Sequence, residues 1–163
     1  MTAAPAPLLV LAWGNPSRGD DALGPLLAER LQAHAKAALP AGRVEFLTDF
    51  QLQVEHALDL AGREHVLFVD AATGLDQAFE VRALRPARGG GIGSHALAPE
   101  AVLQVYQDLN GHPAPPATLL AIRARSFGLG EAPGPDALSD LAQALAWACG
   151  WLQGQAATEA LTA

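Results

Sequence analysis

A single cysteine, Cys149, stands in 163 residues. A disulfide needs two thiols and a thiolate zinc site more, so neither can brace this chain from within. Long apolar runs are missing too: no stretch reaches the ~20 residues of a membrane-spanning helix. The opening segment, MTAAPAPLLVLAW, lacks the basic start of a secretion signal. The expectation is a soluble, cytoplasmic protein with no membrane partner. Positive charge is scarce: 10 Lys and Arg face 17 Asp and Glu, for a net charge of −7. Arg82, Arg85, Arg88, Arg123 and Arg125 lie dispersed among apolar residues and glycines. Without a basic patch, no nucleic-acid partner is expected. What is plentiful is apolar material, half of all residues, which suffices for a core. The length fits one domain, 1–163, with a tail expected to fray after about residue 154.

The apolar pattern changes period along the chain. Pro7 to Trp13 reads as a buried strand, and Asp21 to Ala38 as a helix with leucines at three/four spacing. Arg43 to Thr48 alternates as a strand does, and Leu52 to Ala61 reads as a shorter helix. His65 to Ala71 has a central-strand pattern, and Phe79 to Leu84 suggests a hairpin strand. A helix over Ala98 to Leu109, a strand over Thr118 to Ala124 and a long helix from Asp136 to about Gln153 complete the series. The alternation predicts a three-layer α/β/α sandwich around a twisted, mostly parallel mixed sheet of about five strands.

Trp13 to Pro25, WGNPSRGDDALGP, joins the first strand to the first helix. Such junctions lie at the carboxyl edge of α/β sheets, where ligands bind. Gly14 and Gly19 have the spacing of a phosphate-binding loop, but Asp20 and Asp21 follow in place of Lys and Ser/Thr. Two carboxylates repel a phosphate and suit a divalent cation, although either can instead cap the helix. Asp70 ends the strand HVLFVD, and His95 follows a glycine-rich loop. Together Asp21, Asp70 and His95 form a mixed oxygen and nitrogen donor set suited to zinc, nickel or a similar ion. Each also has a plain reading, as a turn former or a packed loop histidine. Asp49, Phe50 and Gln51 follow the second strand at the same edge, where Asp49 suits a helix N-cap and the others offer apolar and amide surface to a peptide.

Other signals are weaker. Gly91 to Ala96 fits G-x-G-x-x-A but follows no strand directly, and no acid ends a further strand at the spacing a dinucleotide site requires. Ser94 adjoins His95 without a G-x-S-x-G elbow. Cys149 lies in an apolar helix and reads as a structural thiol, and His34, His56, His65 and His112 read as structural or solvated.

In order along the chain, G-N-x-x-x-x-D-D at Gly14 to Asp21, V-D-A at Val69 to Ala71 and S-H-A-L at Ser94 to Leu97 resemble the nickel–iron hydrogenase maturation endopeptidases. The resemblance spans nearly the whole chain, from Leu8 to the last helix. It implies an endopeptidase that removes the C-terminal extension of a hydrogenase large subunit once nickel is inserted. Asp21 matches the family's metal-contacting acid, often Glu, while Asp70 matches its second carboxylate and His95 its imidazole. Nickel then belongs to the nickel-loaded precursor, and no organic cofactor is implied. Two routes to hydrolysis stay open: a metal-polarised carbonyl with Asp20 or Asp21 as the base that activates water, or a metal that only docks the substrate while the acid pair does the hydrolysis. Where members have D-G-G-T in a substrate-recognition loop, this chain has Asp49-Phe50-Gln51-Leu52, which resembles the branch serving soluble, NAD-reducing hydrogenases. Two alternatives stand beside this reading: a self-contained metal-dependent amidohydrolase or peptidase, and a non-enzymatic nucleotide-binding module.

Overall fold

Five apolar segments form one sheet in the order β2-β1-β3-β5-β4. The computed structural model describes residues 4–89 and 97–162. The strands are β1 (Leu8–Trp13), β2 (Val44–Asp49), β3 (His65–Ala72), β4 (Phe79–Leu84) and β5 (Ala117–Arg123), and the helices are α1 (Leu23–Ala38), α2 (Pro99–Asn110) and α3 (Pro135–Thr162). All neighbouring strands are parallel except β4, which runs antiparallel to β5. The architecture is the expected three-layer sandwich.

Every residue of β1 is buried, because both faces of this central strand are covered. Leu8, Val10 and Ala12 share a core with Leu67 and Val69 of β3, beneath α1 and α3. The alternate residues, Leu9, Leu11 and Trp13, pack with Val66 and Phe68 under α2. α1 buries Leu23, Leu27, Leu31 and Ala35 as a four-residue stripe. α3 answers with Ala137, Leu141, Ala144, Ala148 and Leu152, small enough in part to let the two helices approach. Each fully buried leucine in these cores contributes ~1.5–3 kcal/mol.

The structure differs from the sequence expectation at four places. The first helix does not begin at Asp21: Gly19–Ala22 is a 3-10 turn, and α1 starts at Leu23. The segment after β2 forms a 3-10 helix, Val54–Leu60, whose N-cap is Gln53 in a reciprocal capping box with His56, so Asp49 is not its cap. Strand β4 makes no hairpin with β3; β5 occupies that place in parallel register, leaving β4 the edge beyond it. α3 continues past Gly154 to Thr162, since one glycine costs a helix only ~1 kcal/mol and strong helix formers follow.

The order places β2 and β3 on opposite sides of β1. The chain leaves β1 toward one edge and β3 toward the other, so a crevice opens at their carboxyl ends. Trp13, Gly14 and Asp70 lie there.

Candidate active site

The Gly14–Asp21 loop is shaped by contacts only particular residues can make. Gly14 has φ 148°, and a Cβ on it would lie 2.0 Å from the Asp21 carbonyl oxygen. Its N–H donates to the Asp49 carbonyl at 3.0 Å, tying the loop to the end of β2. The Asn15 N–H donates to Asp21 Oδ2 at 2.7 Å, and Asn15 Oδ1 accepts from the Ser17 N–H at 2.9 Å. Asn15 thus builds the turn with its side chain and holds the acid with its backbone. Gly24 completes the arrangement: a Cβ there would stand 2.6 Å from the Trp13 carbonyl oxygen and 3.2 Å from that of Val69. The first turn of α1 therefore rests directly on the ends of β1 and β3.

The two adjacent aspartates have different surroundings. Asp20 is 3% exposed. Its Oδ2 accepts from the Arg125 and Ser126 N–H groups at 2.7 and 3.1 Å, and its Oδ1 from the Gly134 N–H at 3.4 Å. It fastens the segment between β5 and α3 to the loop. That segment is braced again by Asp140, a buried carboxylate that takes two hydrogen bonds from Arg123 and an ion pair from Arg125 at 2.9 Å. The Arg123 bonds, ahead of Arg125, hold the Asp140 pKa below the ordinary carboxylate value. Asp21 is half-buried, and among the described residues only the Asn15 N–H is bonded to its carboxylate. Its Oδ1 takes no hydrogen bond from the described residues.

Asp70 extends from β3 on the Phe68 side, level with the end of β1. Its Oδ1 accepts from the Ala71 N–H at 2.8 Å, and the Trp13 side chain also hydrogen-bonds to it. Trp13 is fixed edge-on against Phe68, with ring centroids 6.1 Å apart. Burial raises the Asp70 pKa to about 7, and the charge of Asp21 adds to the rise against the lowering effect of the Ala71 and Trp13 bonds. The charge of Asp21, distant in sequence, therefore reaches Asp70. A pair of acids of which one titrates at about 7 is poised for a cation or for acid–base work. His95, the third expected donor, lies outside the described residues. Among the described residues no group of three or more His, Cys, Asp or Glu is gathered in a way that could hold a metal ion.

On the other side of Gly14, a 240 Å³ hollow is lined by Gly14, Pro16, Pro25, Thr48, Asp49 and Phe50. Asp49 Oδ1 accepts from the Phe50 N–H at 2.7 Å, and its Oδ2 lies 3.4 Å from His56 Nε2. His56 Nδ1 accepts from the Gln53 N–H at 2.8 Å, so Nε2 carries the ring proton toward Asp49. This pins the Asp49–Gln53 loop, leaves Phe50 69% exposed and also exposes Gln51. Cys149 is half-buried on α3, away from all of this, and burial raises its pKa.

The fold is that of the hydrogenase maturation proteases. The NiFe hydrogenase maturation protease HycI from Thermococcus kodakarensis KOD1 matches with a TM-score of 0.69 and 23% identity, over 93% of this chain and 95% of that one. The hydrogenase maturating endopeptidase HybD from E. coli matches with a TM-score of 0.69 and 21% identity, over 91% and 93% of the two chains. The Hydrogenase 3 maturation protease matches with a TM-score of 0.63 and 22% identity, over 91% and 93%. No family model and no curated protein matches the sequence. The maturation-protease fold thus spans nearly the whole chain, and its crevice is where Asp21 and Asp70 lie.

Sequence reasoning singled out Asp21, Asp70, Asp49 and Phe50 and assigned no role to Trp13 or Gly24. Trp13 shares the phase of Leu9 and Leu11 along β1, but only the β1–β3 register sets it beside Asp70.

Proposed function

We propose that this protein is an endopeptidase that removes the C-terminal extension of a nickel–iron hydrogenase large subunit after nickel insertion. The observation that carries the reading is the Asp21–Asp70 pair at the switch point of a maturation-protease fold, with one Asp21 oxygen unbonded among the described residues. Nickel is the substrate's cargo. Asp21, Asp70 and His95 donate to it from one side while the precursor holds it from the other, so an empty precursor forfeits that binding energy. Of the two adjacent acids, Asp21 is the base that activates water, an aspartic-type role. Asp20 supports it by holding the neighbouring wall, because its own oxygens are already occupied by backbone N–H groups. Asp49, Phe50 and Gln51 contact the precursor. The absence of the glycines of D-G-G-T at these positions favours a partner from the soluble, NAD-reducing hydrogenases, met in the cytoplasm.

The test is incubation with candidate large-subunit precursors, with and without nickel, followed by mass measurement. The expected product is a large subunit shortened at its C-terminus only when nickel is present. Asp21→Asn, Asp70→Asn and His95→Ala are each expected to stop processing while the fold persists by circular dichroism. Normal cleavage by all three variants would reject the site.

A further inference from the structure

Strand β2 is an edge of the sheet whose mid-strand charge, Glu45, is paired with Arg63 on the face away from α1. Its six residues carry no lysine or proline, and its pairing with β1 runs without a bulge. The opposite edge is guarded: β4 sets Glu80 and Arg82 outward, and Arg82 is paired with Glu100 of α2. Edge strands without lysine, proline or a bulge accept another strand unless something prevents it.

The register says which groups are open. The Arg43 and Asp49 carbonyls accept from Leu8 and Gly14, so the odd-numbered residues of β2 turn their backbone groups toward β1. Val44, Phe46 and Thr48 therefore direct N–H and C=O outward. Their side chains face α1, where Val44 and Phe46 pack against its core. Along that seam three hollows run end to end. The first, of 230 Å³, includes Gln32, Val44 and Phe46; the second, of 260 Å³, shares Gln32 and Phe46 with it and adds Pro25 and Thr48; the third is the hollow at Gly14 and Asp49. The result is a groove about 20 Å long beside a strand edge, ending at the loop that carries Asp21.

We propose that β2 is the docking edge for an extended segment of the substrate polypeptide, which adds to the sheet as a sixth strand and is led along the groove to Asp21. This rests on the endopeptidase reading. An extended chain matches three outward N–H and C=O pairs, and alternate side chains match the successive hollows. Charge selects the occupant. At its far end the groove is lined by Asp49 and Glu29, while Lys36 stands at its near end. A neutral or basic segment fits there, whereas a second copy of a chain with net charge −7 is repelled.

Hydrogen exchange on the full Asp21→Asn chain, with and without a precursor that the unaltered protein cleaves, tests this. The amides of Val44, Phe46 and Thr48 are expected to slow about tenfold or more, while those of Glu45 and Leu47, already bonded to β1, stay unchanged. Thr48→Pro removes an outward N–H without touching the β1 ladder and is expected to raise KM about tenfold at constant kcat. Unchanged exchange at the three amides with precursor bound, or protection confined to other elements, would overturn the proposal. So would protection that appears without precursor and grows with protein concentration, which would put a second copy on the edge. If the unaltered protein cleaves no nickel-loaded precursor, the endopeptidase reading fails and the proposal goes with it; cleavage with an indifferent β2 sinks the docking edge alone.

Discussion

Replacing Asp70 by asparagine separates the cost of holding this carboxyl group from its use. In the folded protein its pKa is raised from 3.8 to about 7, chiefly by burial and then by the charge of Asp21. In the unfolded chain it ionises at its ordinary value. Between the two the folded state holds a proton that the unfolded state has released. The stabilisation is therefore complete below the unfolded pKa and is lost as pH rises through the folded one. At ~1.4 kcal/mol per pH unit the full difference is roughly 4 kcal/mol, and solvent access to the crevice reduces the expectation to about 2–4 kcal/mol. Asparagine has no such titration. It keeps one acceptor oxygen in place of two, and any weakening of the Ala71 and Trp13 bonds, about 1 kcal/mol, does not vary with pH. Denaturant unfolding of both proteins from about pH 4 to about pH 8 should show the stability of Asp70→Asn gaining on that of the parent by about 2–4 kcal/mol. Parallel curves would refute the burial and charge reasoning. The same variant should fail to process a nickel-loaded precursor, so stability gained at high pH would accompany activity lost.

Other outcomes follow from single contacts. Asp20→Ala strands the Arg125 and Ser126 N–H groups, and a loss of roughly 2–4 kcal/mol is expected by denaturant titration, against less than ~1 kcal/mol for Asp21→Asn. Equal losses would contradict the division between a fastening acid and a free one. Gly14→Ala drives a methyl group into the Asp21 carbonyl and should lower stability by about 3 kcal/mol or more while displacing the acid, checked by thermal melting together with processing. His56→Gln removes the ring that bridges Gln53 and Asp49; a raised KM with kcat unchanged is expected, and an unaltered KM would show that the Phe50 loop is set by other contacts.

Much of the fold was legible because strands and helices write different periods into the chain. β1 and β3 are apolar on both faces, as strands covered on both sides must be, and the leucines of α1 recur every four residues. Boundaries were less legible where glycine bends the chain. Gly14 and Gly19 let the loop close as a 3-10 turn ahead of α1, which no periodicity announces. The neighbour of β4 was illegible too, since a strand's sequence does not name its partner. Of the site, Asp21 and Asp70 could be nominated from their positions at the ends of elements, but the adjacent acids could not be told apart. Only the return of residues 125–134 against the loop reveals that Asp20 is consumed by backbone N–H groups.

The sequence by itself determined the layered α/β class, the carboxyl-edge position of the acids and the exclusion of disulfide bracing, because these follow from period, composition and local turn chemistry. Tertiary structure alone decided which carboxylate is taken up by backbone N–H groups, that Trp13 reaches Asp70, and that β2 is an edge of the sheet. Those facts depend on register and on contacts between segments 105 residues apart, which no local pattern encodes.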